Sequence, residues 1–507
     1  MMEPQNEPQL PPVSPNGLYF NSSAVSLVIL AVLETEQPIK IPPHQLVSLL
    51  DTHLLSLHPR FSSVIVSTQQ CAIINMVLRW KRAFDYIVYD QVTGRDGEKR
   101  WKRVGVNLKD HIKTAVFPQG KSPEYYEGCF NDYLSEISAE QLPVTRPLWE
   151  IHLVKYPTPN AAGNVIFKIH HAIGDGYSLM AALLSCFKRS DDPSLPLTLP
   201  SHRIRKLSSS SDDGNVGAGK RAAVSRVLAA VLSTASDLWL NFSKTRFLED
   251  DLSPIRSGDP TIGLRPISAA TVTFSLDEIK QIKSQLGMTV NDVITGAVFL
   301  GTRLYMHGVD PGSDGADTTA LVLLNTRMLR SYNSIEEMVK QETNSPWGNH
   351  FSFLHVTIPK LTTSTAATSN DSDDALEFVR AASAIIQKKR HSLAVPLTAK
   401  LLHLYRKLKG SEAAAGYVYR VMKSTSMLIT NMIGPVEKMS MADHHIKGIY
   451  FLVSGNPQNV QTTIVSYMGE LRVSVAAEKG FIDPNTFKSC VETAFRLIRK
   501  SACTASH

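Results

Sequence analysis

Two adjacent histidines, followed by an aspartate and a glycine, form the part of the sequence best suited to chemistry. They are His170, His171, Asp175 and Gly176, in the run HHAIGDG. A neutral imidazole, with an ordinary pKa near 6.5, can take a proton from a hydroxyl group at neutral pH. The activated oxygen can then attack an acyl carbon without a covalent enzyme nucleophile. The run therefore predicts a general base for acyl transfer.

The residues on either side predict how the histidines are presented. Residues 164–169 alternate as in a strand, and the apolar residues that follow Gly176 recur at helical spacing. Adjacent side chains leave a strand toward opposite faces, so only one histidine enters a given site. We expect His171 to be the base and His170 to be a packing or hydrogen-bonding residue.

Other interpretations of the run are weaker. A single histidine is more often structural, but these four fixed positions recur by chance on the order of once in a thousand chains of this composition. A metal site lacks further ligands at suitable spacing. No G-x-S-x-G run supplies a serine nucleophile, and Cys186 falls on the predicted buried side of the helix.

Two roles fit Asp175. It can orient the imidazole, as in a catalytic triad, or it can hold the turn by pairing with an arginine. Closeness in sequence does not aim the carboxylate at the histidine, and Gly174 and Gly176 suggest unusual backbone dihedral angles. We favour the role in holding the turn.

A second unit is predicted after residue 275. Ser275 and Glu278 form a capping-box pattern for a helix that Gly287 ends, and a further helix starts near Thr289. Residues 291–292, Asn and Asp, fall in the first turn of that helix. Capping and a role in the site are equally favoured for this pair.

Composition and charge favour a folded, two-domain protein. The composition, 43% hydrophobic and 20% charged, is that of a folded globular protein. The chain of 507 residues is too long for one ordinary core. The net charge of +7 suits anionic partners such as phosphate groups or an acidic membrane, whereas no nucleic-acid-binding signature is found. The five cysteines are scattered and the N-terminus lacks a secretory pattern, so we expect a cytosol-facing protein.

The middle of the chain predicts a linker and an amphipathic helix. Loop-like stretches cover 190–220 and 361–374, and helical spacing covers 222–242. That helix is too often interrupted by polar residues to span a bilayer, so an interfacial membrane helix and an ordinary domain helix are equally favoured. We therefore divide the chain into a first domain at 1–189, a linker with this helix at 190–260, and a second domain at 261–507.

Several motifs resemble those of a known family. Residues 170–176 resemble the HHxxxDG signature of the coenzyme A-dependent acyltransferase superfamily. Three further runs resemble elements of the wax ester synthase/diacylglycerol acyltransferase family: PLWE at 147–150, ND at 291–292 and NMIGP at 431–435. The plant-type members of this family are the best match, because the chain also has runs that resemble their pattern: SP at 14–15, HPRFSS at 58–63 and WGN at 347–349.

The resemblance implies an α/β fold of the α+β sandwich type, with two chloramphenicol-acetyltransferase-like domains and a substrate tunnel at their interface. It implies that His171 is the catalytic base in that tunnel, acting in a ternary complex. The donor would be acyl-CoA, with no permanently bound cofactor and no metal. The acceptor would be a long-chain fatty alcohol, diacylglycerol, or both.

Supporting residues follow from the same resemblance. His170, Gly176 and Asp175 would shape the turn, and Asp175 would pair with Arg327 or Arg60. The residues expected in the site wall are Asn291, Asp292 and Trp149. The family often has a glycine shortly after WGN, where this chain has HFSF at 350–353, so we expect a changed tunnel lining and acceptor preference.

The lipid substrates implied by the resemblance also imply a cellular location. We expect membrane association at the endoplasmic reticulum, facing the cytosol or peripheral, with the plasma membrane as the alternative. A transferase for small polar alcohols or amines is the first alternative function. A non-catalytic lipid-binding protein of the same fold is the second, although such a protein would be expected to lack the histidine pair, which is present here.

Overall fold

The structure is a computed structural model. It describes residues 13–67, 99–198, 248–325 without 260, 262 and 264, 347–361, 372–390 and 394–504. Arg327, the predicted helix at 222–242 and most of the predicted loops at 190–220 and 361–374 lie outside the described residues.

The described chain contains both α-helices and β-strands. The helices are Pro15–Tyr19 (α1), Pro43–Leu49 (α2), Pro123–Ala139 (α3), Gly176–Ser185 (α4), Leu276–Leu286 (α5), Val290–Val309 (α6), Ser372–Arg390 (α7), Ala394–Lys409 (α8), Ser411–Lys423 (α9) and Pro484–Thr504 (α10). The strands are Val28–Thr35 (β1), Ser63–Ser67 (β2), Lys99–Arg103 (β3), Ile112–Thr114 (β4), Trp149–Val154 (β5), Gly163–His170 (β6), Lys188–Arg189 (β7), Ile267–Ser275 (β8), Thr319–Asn325 (β9), Phe351–Thr357 (β10), Met427–Ile433 (β11), Met439–Met441 (β12), His444–Ser454 (β13), Val460–Tyr467 (β14) and Glu470–Glu478 (β15).

The strand that ends in the histidines lies inside a sheet. Within the described residues this sheet has seven strands in the order β4-β5-β6-β1-β13-β12-β7. Strand β6 pairs antiparallel with β1 and β5, and all eight of its residues are buried. Helix α4 begins at Gly176, directly after the turn. The predicted order of strand, tight turn and helix is therefore confirmed.

The first sheet is completed by strands from late in the sequence. Strand β13 pairs antiparallel with β1 from Val28 opposite Ser454, and β12 pairs with β13 on its other side. At the end of β13 the chain turns at Gly455, where φ is +88° and an added Cβ would collide with the Ser26 carbonyl. Residues 439–454 thus lie in the first sheet, although the division into segments places them in the second domain, and that division stays a prediction.

The second sheet carries its own helical layer. Its described strands are ordered β10-β9-β11-β14-β15-β8, and helices α6, α7 and α10 pack closely together. The predicted helix limits are confirmed: Ser275 caps α5, Gly287 ends it with φ of +66°, and Thr289 caps α6 in a full capping box with Asp292. The predicted capping box of α5 is formed only in part: the Ser275 hydroxyl accepts from the Glu278 amide, whereas the Glu278 carboxylate contacts Arg499 at 2.7 Å.

We predict that Gly301→Ala lowers thermal stability because helix α10 crosses α6 at this residue. An added Cβ would lie 2.7 Å from the Val491 Cα, a backbone atom that cannot move alone. Overpacking of this kind costs about 1–3 kcal/mol. Gly308→Ala in the same helix meets no atom within 4 Å and is the matched control. Differential scanning fluorimetry should show a lower midpoint for Gly301→Ala only, and equal midpoints would contradict the close crossing.

Candidate active site

The turn after β6 separates the two histidine side chains. The His170 amide donates to the Leu148 carbonyl at 3.0 Å, and the His171 amide donates to the Leu27 carbonyl at 2.8 Å. The backbone of each histidine is therefore fixed to a neighbouring chain segment. The two rings have different partners, as expected for adjacent residues at a strand end.

His170 has the contacts of a hydrogen-bonded packing residue. Its Nδ1 accepts a hydrogen bond from the Ala172 amide at 3.1 Å, so the ring proton is on Nε2, which lies 3.2 Å from the Ser26 hydroxyl. Burial lowers the pKa of His170 to about 3, with the charge of His171 as a second cause. The ring is therefore neutral and both of its nitrogens are occupied.

His171 is held in one tautomer by Asn349. The His171 Nδ1 lies 2.8 Å from Asn349 Oδ1, and Asn349 Nδ2 donates to the His171 carbonyl at 2.9 Å. Because the second bond makes Nδ2 the donor, Oδ1 must accept a proton from Nδ1. The Nε2 of His171 is consequently left without a proton, and it is the nitrogen that can act as a base.

The surroundings of the His171 ring are apolar. The ring of Phe20 lies 5.0 Å away between centroids, and that of Phe351 lies 5.4 Å away. Burial is the largest influence on the pKa of His171 and lowers it, while the charge of Asp175 and the bond to Asn349 act in the opposite direction. The net effect favours a neutral imidazole at physiological pH.

Asp175 caps helix α4 and ties it to the second half of the chain. Its Oδ1 accepts from the Ser178 amide at 3.1 Å, and its Oδ2 accepts from the His350 amide at 2.8 Å. Both oxygens are therefore engaged by backbone N–H groups. This geometry is that of a residue that holds the turn, and the carboxylate acts on His171 through its charge.

Of the two arginines considered for Asp175, Arg60 is among the described residues. The charge of Asp175 raises the pKa of Arg60, while burial, the larger cause, lowers it to about 10. The Arg60 guanidinium donates to the Ile173 carbonyl at 2.9 Å and lies 5.4 Å from the centre of the Trp101 ring. Arg60 thus supports the histidine turn from the HPRFSS segment.

The WGN segment docks directly on the turn. Gly348 has φ of +124°, a left-handed region that favours glycine, and its carbonyl accepts from the Asp175 amide at 3.2 Å. The Ser178 hydroxyl donates to this carbonyl at 3.1 Å and accepts from the Gly348 amide at 3.0 Å. The Trp347 indole donates to the Ile173 carbonyl at 3.1 Å. These bonds place Asn349 beside His171.

The SP segment supports the same loop from its other side. Ser14 caps helix α1, and Asn16 Nδ2 donates to the carbonyls of Asn349 at 3.1 Å and Phe351 at 3.3 Å. Helix α1 also leads into Phe20, one of the two aromatic neighbours of His171. Three segments far apart in sequence therefore fix one imidazole and its partner.

The ND and NMIGP motifs also meet. The Asn431 amide donates to Asn291 Oδ1 at 2.8 Å, while Asp292 accepts from the Thr289 amide at 2.9 Å and from the Ser383 hydroxyl at 3.2 Å. The contacts of Asp292 are those of a helix cap. In the NMIGP strand Met432 lies so close to Gly176 that a Cβ there would collide with its sulfur. The strand therefore reaches the start of α4.

Trp149 lies at the start of β5 in the core beside the first sheet and is 1% exposed. Its indole donates to the Phe61 carbonyl at 2.9 Å and stacks on His111 at 4.2 Å. The bond to Phe61 places Trp149 beside the Arg60 segment, and none of the contacts described above for the His171 ring involves Trp149. Cys186 is buried, and burial raises the pKa of its thiol to about 12, which opposes a thiolate nucleophile.

Asn349 is the residue that inspection of the sequence missed. The WGN segment was identified only through its resemblance to a family pattern, and no local feature of a Trp-Gly-Asn run predicts contact with a histidine 178 positions away. Among the described residues, no cluster of His, Cys, Asp or Glu could hold a metal ion, and no helix is long and apolar enough to cross a membrane.

Comparison with solved structures shows the fold. A wax ester synthase/diacylglycerol acyltransferase from Marinobacter aquaeolei VT8 has a TM-score of 0.56 and 13% identity, covering 97% of this chain and 100% of the other. The starter condensation domain of rhizomide synthetase, in complex with C8-CoA and Leu-SNAC, has a TM-score of 0.51 and 10% identity, covering 98% of this chain and 94% of the other. The predicted α/β, two-domain class is confirmed.

Sequence comparisons give the family. The wax ester synthase/diacylglycerol acyltransferase catalytic domain matches residues 72–294, and the WS/DGAT C-terminal domain matches residues 347–499. Wax ester synthase/diacylglycerol acyltransferase 11 of Arabidopsis thaliana is 27% identical, covering 94% of this chain and 92% of its own. Wax ester synthase/diacylglycerol acyltransferase 6 of the same organism is also 27% identical, covering 96% of this chain and 93% of its own. With both domains matched in order and the relatives matched nearly from end to end, the chain belongs to the wax ester synthase/diacylglycerol acyltransferase family.

Proposed function

We propose that this acyltransferase moves a long-chain fatty acyl group from acyl-CoA to the hydroxyl of a long-chain fatty alcohol, of diacylglycerol, or of both. The observation that carries the proposal is the buried pair of His171 and Asn349, which leaves an unprotonated Nε2 on a ring that has two phenylalanine neighbours. Family membership and the names of the Arabidopsis relatives support the same activity.

The reaction follows from this nitrogen. His171 Nε2 takes the proton of the acceptor hydroxyl as the oxygen bonds to the thioester carbon. The tetrahedral intermediate then breaks its carbon–sulfur bond, and the proton on Nε2 passes to the leaving sulfur to give free coenzyme A. Asn349 keeps its bond to Nδ1 and stabilises the imidazolium that forms during the exchange. The ester is made without an acyl-enzyme.

The substrates meet where the two halves of the chain join. His171 belongs to the first half, whereas Asn349, Phe351 and Met432 come from the second. A passage between the halves would bring the thioester and the hydroxyl to Nε2 while excluding water, which would otherwise hydrolyse the donor. Acyl-CoA enters as a co-substrate, and the proposed reaction requires no permanently bound group.

The aromatic surroundings favour a lipid acceptor over the alternatives. Phe20 and Phe351 stack on each other at 5.5 Å and give His171 apolar neighbours, which suit an alkyl chain better than a small polar alcohol or amine. A purely lipid-binding protein would not need the fixed tautomer of His171. Because the acceptors are lipids, the proposed location is the endoplasmic reticulum membrane on its cytosolic side, with the plasma membrane as the alternative.

We predict that labelled palmitoyl-CoA, with hexadecanol and diacylglycerol in competition, gives a labelled wax ester, triacylglycerol or both. His171→Ala should lower turnover by about 10²–10⁴-fold, the usual contribution of a general base. Thin-layer chromatography of the products measures both, and an unchanged thermal midpoint shows that the variant folds. Undiminished turnover in folded His171→Ala would remove His171 as the base, and product only from small polar acceptors would favour the alternative transferase.

We predict that Asn349→Ala lowers kcat by about 10²-fold, since the imidazole loses the acceptor that fixes its tautomer. Asn349→Asp restores an acceptor and should recover part of the rate. The new carboxylate favours the imidazolium, so the acid limb of the rate profile should move to higher pH. Equal losses in both variants, with an unmoved acid limb, would show that Asn349 serves the fold alone.

A further inference from the structure

Helix α8 carries a line of leucines that faces solvent. They are Leu397, Leu401, Leu404 and Leu408, spaced four, three and four residues apart, so they lie on one narrow face. Leu401 and Leu404 are each 52% exposed and Leu408 is 72% exposed. An exposed apolar line of this kind on a folded protein marks a surface that contacts something else.

The other side of α8 is fastened to the protein. Leu402 packs against an apolar cluster that contains Phe20, and Phe351 packs against the same cluster. Phe20 and Phe351 are the two aromatic neighbours of His171. The leucine line is therefore the outer face of a helix whose inner face reaches the same cluster as the active site. It is not a frayed or detached segment.

The charges of α8 are all basic. Residues 394–409 contain Lys400, Arg406, Lys407 and Lys409 and no aspartate or glutamate. At helical spacing Lys400 and Lys407 fall along one edge of the leucine line. Lysine side chains at such an edge can extend their charged ends away from an apolar phase while the stems remain in it.

We propose that the leucine line of α8 lies on the surface of a membrane that contains anionic lipid, with the leucines in the acyl boundary and the lysines at the headgroups. This rests on the proposed function, in which the acceptors are lipids. An apolar face bordered by lysines is the pattern of an interfacial helix. Sixteen residues at 1.5 Å each give a helix of about 24 Å, too short to span, so it lies in the plane.

Charge distinguishes a membrane from a second copy of the chain as the occupant. Two copies that paired through this face would bring together two helices whose own charges are all basic, whereas anionic headgroups complement them. The placement also gives the lipid acceptor a route. A substrate that leaves the bilayer at α8 would emerge beside the apolar cluster that borders His171.

Flotation of the full chain with phosphatidylcholine vesicles, with and without phosphatidylserine, tests the proposal. The triple change Leu401→Asp, Leu404→Asp and Leu408→Asp should lower binding to the anionic vesicles at least about tenfold. Lys400→Glu with Lys407→Glu should lower binding to anionic vesicles selectively. The matched control changes three exposed apolar residues elsewhere, Val116, Val144 and Leu195, to Asp, and it should bind as wild type does.

Several outcomes would overturn the proposal. One is that the triple leucine variant binds vesicles as well as the wild type does. Another is that binding is lost instead in a variant with Leu228→Asp, Leu232→Asp and Trp239→Asp, which would assign the membrane contact to residues 222–242. A third is that the wild type forms a dimer and does not bind vesicles, and that only the leucine changes dissociate this dimer. That result would assign the leucine face to a second copy of the chain. Acyl transfer in detergent-dispersed substrate separates the two proposals. This activity should persist in the leucine variant. If the wild type lacks it, the proposed function is contradicted, but the proposed membrane contact of α8 is not.

Discussion

The hydrogen bond from His171 Nδ1 to Asn349 Oδ1 is the interaction on which the site depends. It joins the two halves of the chain and decides which ring nitrogen carries the proton. Its geometry is fixed from both sides, because Asn349 also donates to the His171 carbonyl. Gly348, Ser178 and Asn16 then hold the loop so that the amide cannot turn away. Gly348, Ser178 and Asn16 therefore position the pair of His171 and Asn349.

Burial sets a second constraint, since an imidazole sealed in apolar surroundings resists protonation. The charge of Asp175 opposes this effect at His171, and burial remains the larger cause. Asp175 also acts on Arg60, where its charge opposes the larger effect of burial, which lowers the pKa of that guanidinium to about 10. The turn thus holds a buried aspartate as a helix cap while the His171 imidazole stays neutral. Arg60, through the Ile173 carbonyl, and Asp175, through the Ser178 amide, both support the turn that presents His171.

Local features of the fold could be predicted from the sequence. The strand and turn at His171 follow from alternation and turn residues, and the ends of α5 follow from Ser275 and Gly287. The pairing of β13 with β1 could not be predicted, because no local pattern specifies a partner more than 400 residues away. The same limit applies to the site. His171 stands out by residue type and spacing, whereas Asn349 becomes recognisable only when the fold places it beside the ring. Asp292 was ambiguous, since a cap and a wall residue look alike in sequence.

The most direct test of the central claim is nitrogen-15 NMR of the full chain with labelled histidine. The His171 signals are assigned by their loss in His171→Ala. We expect a proton on Nδ1 and none on Nε2 at neutral pH, with the ring becoming charged only as the pH falls below about 6.5. A ring protonated on Nε2, or carrying both protons at neutral pH, would contradict the assignment of His171 as the base held by Asn349.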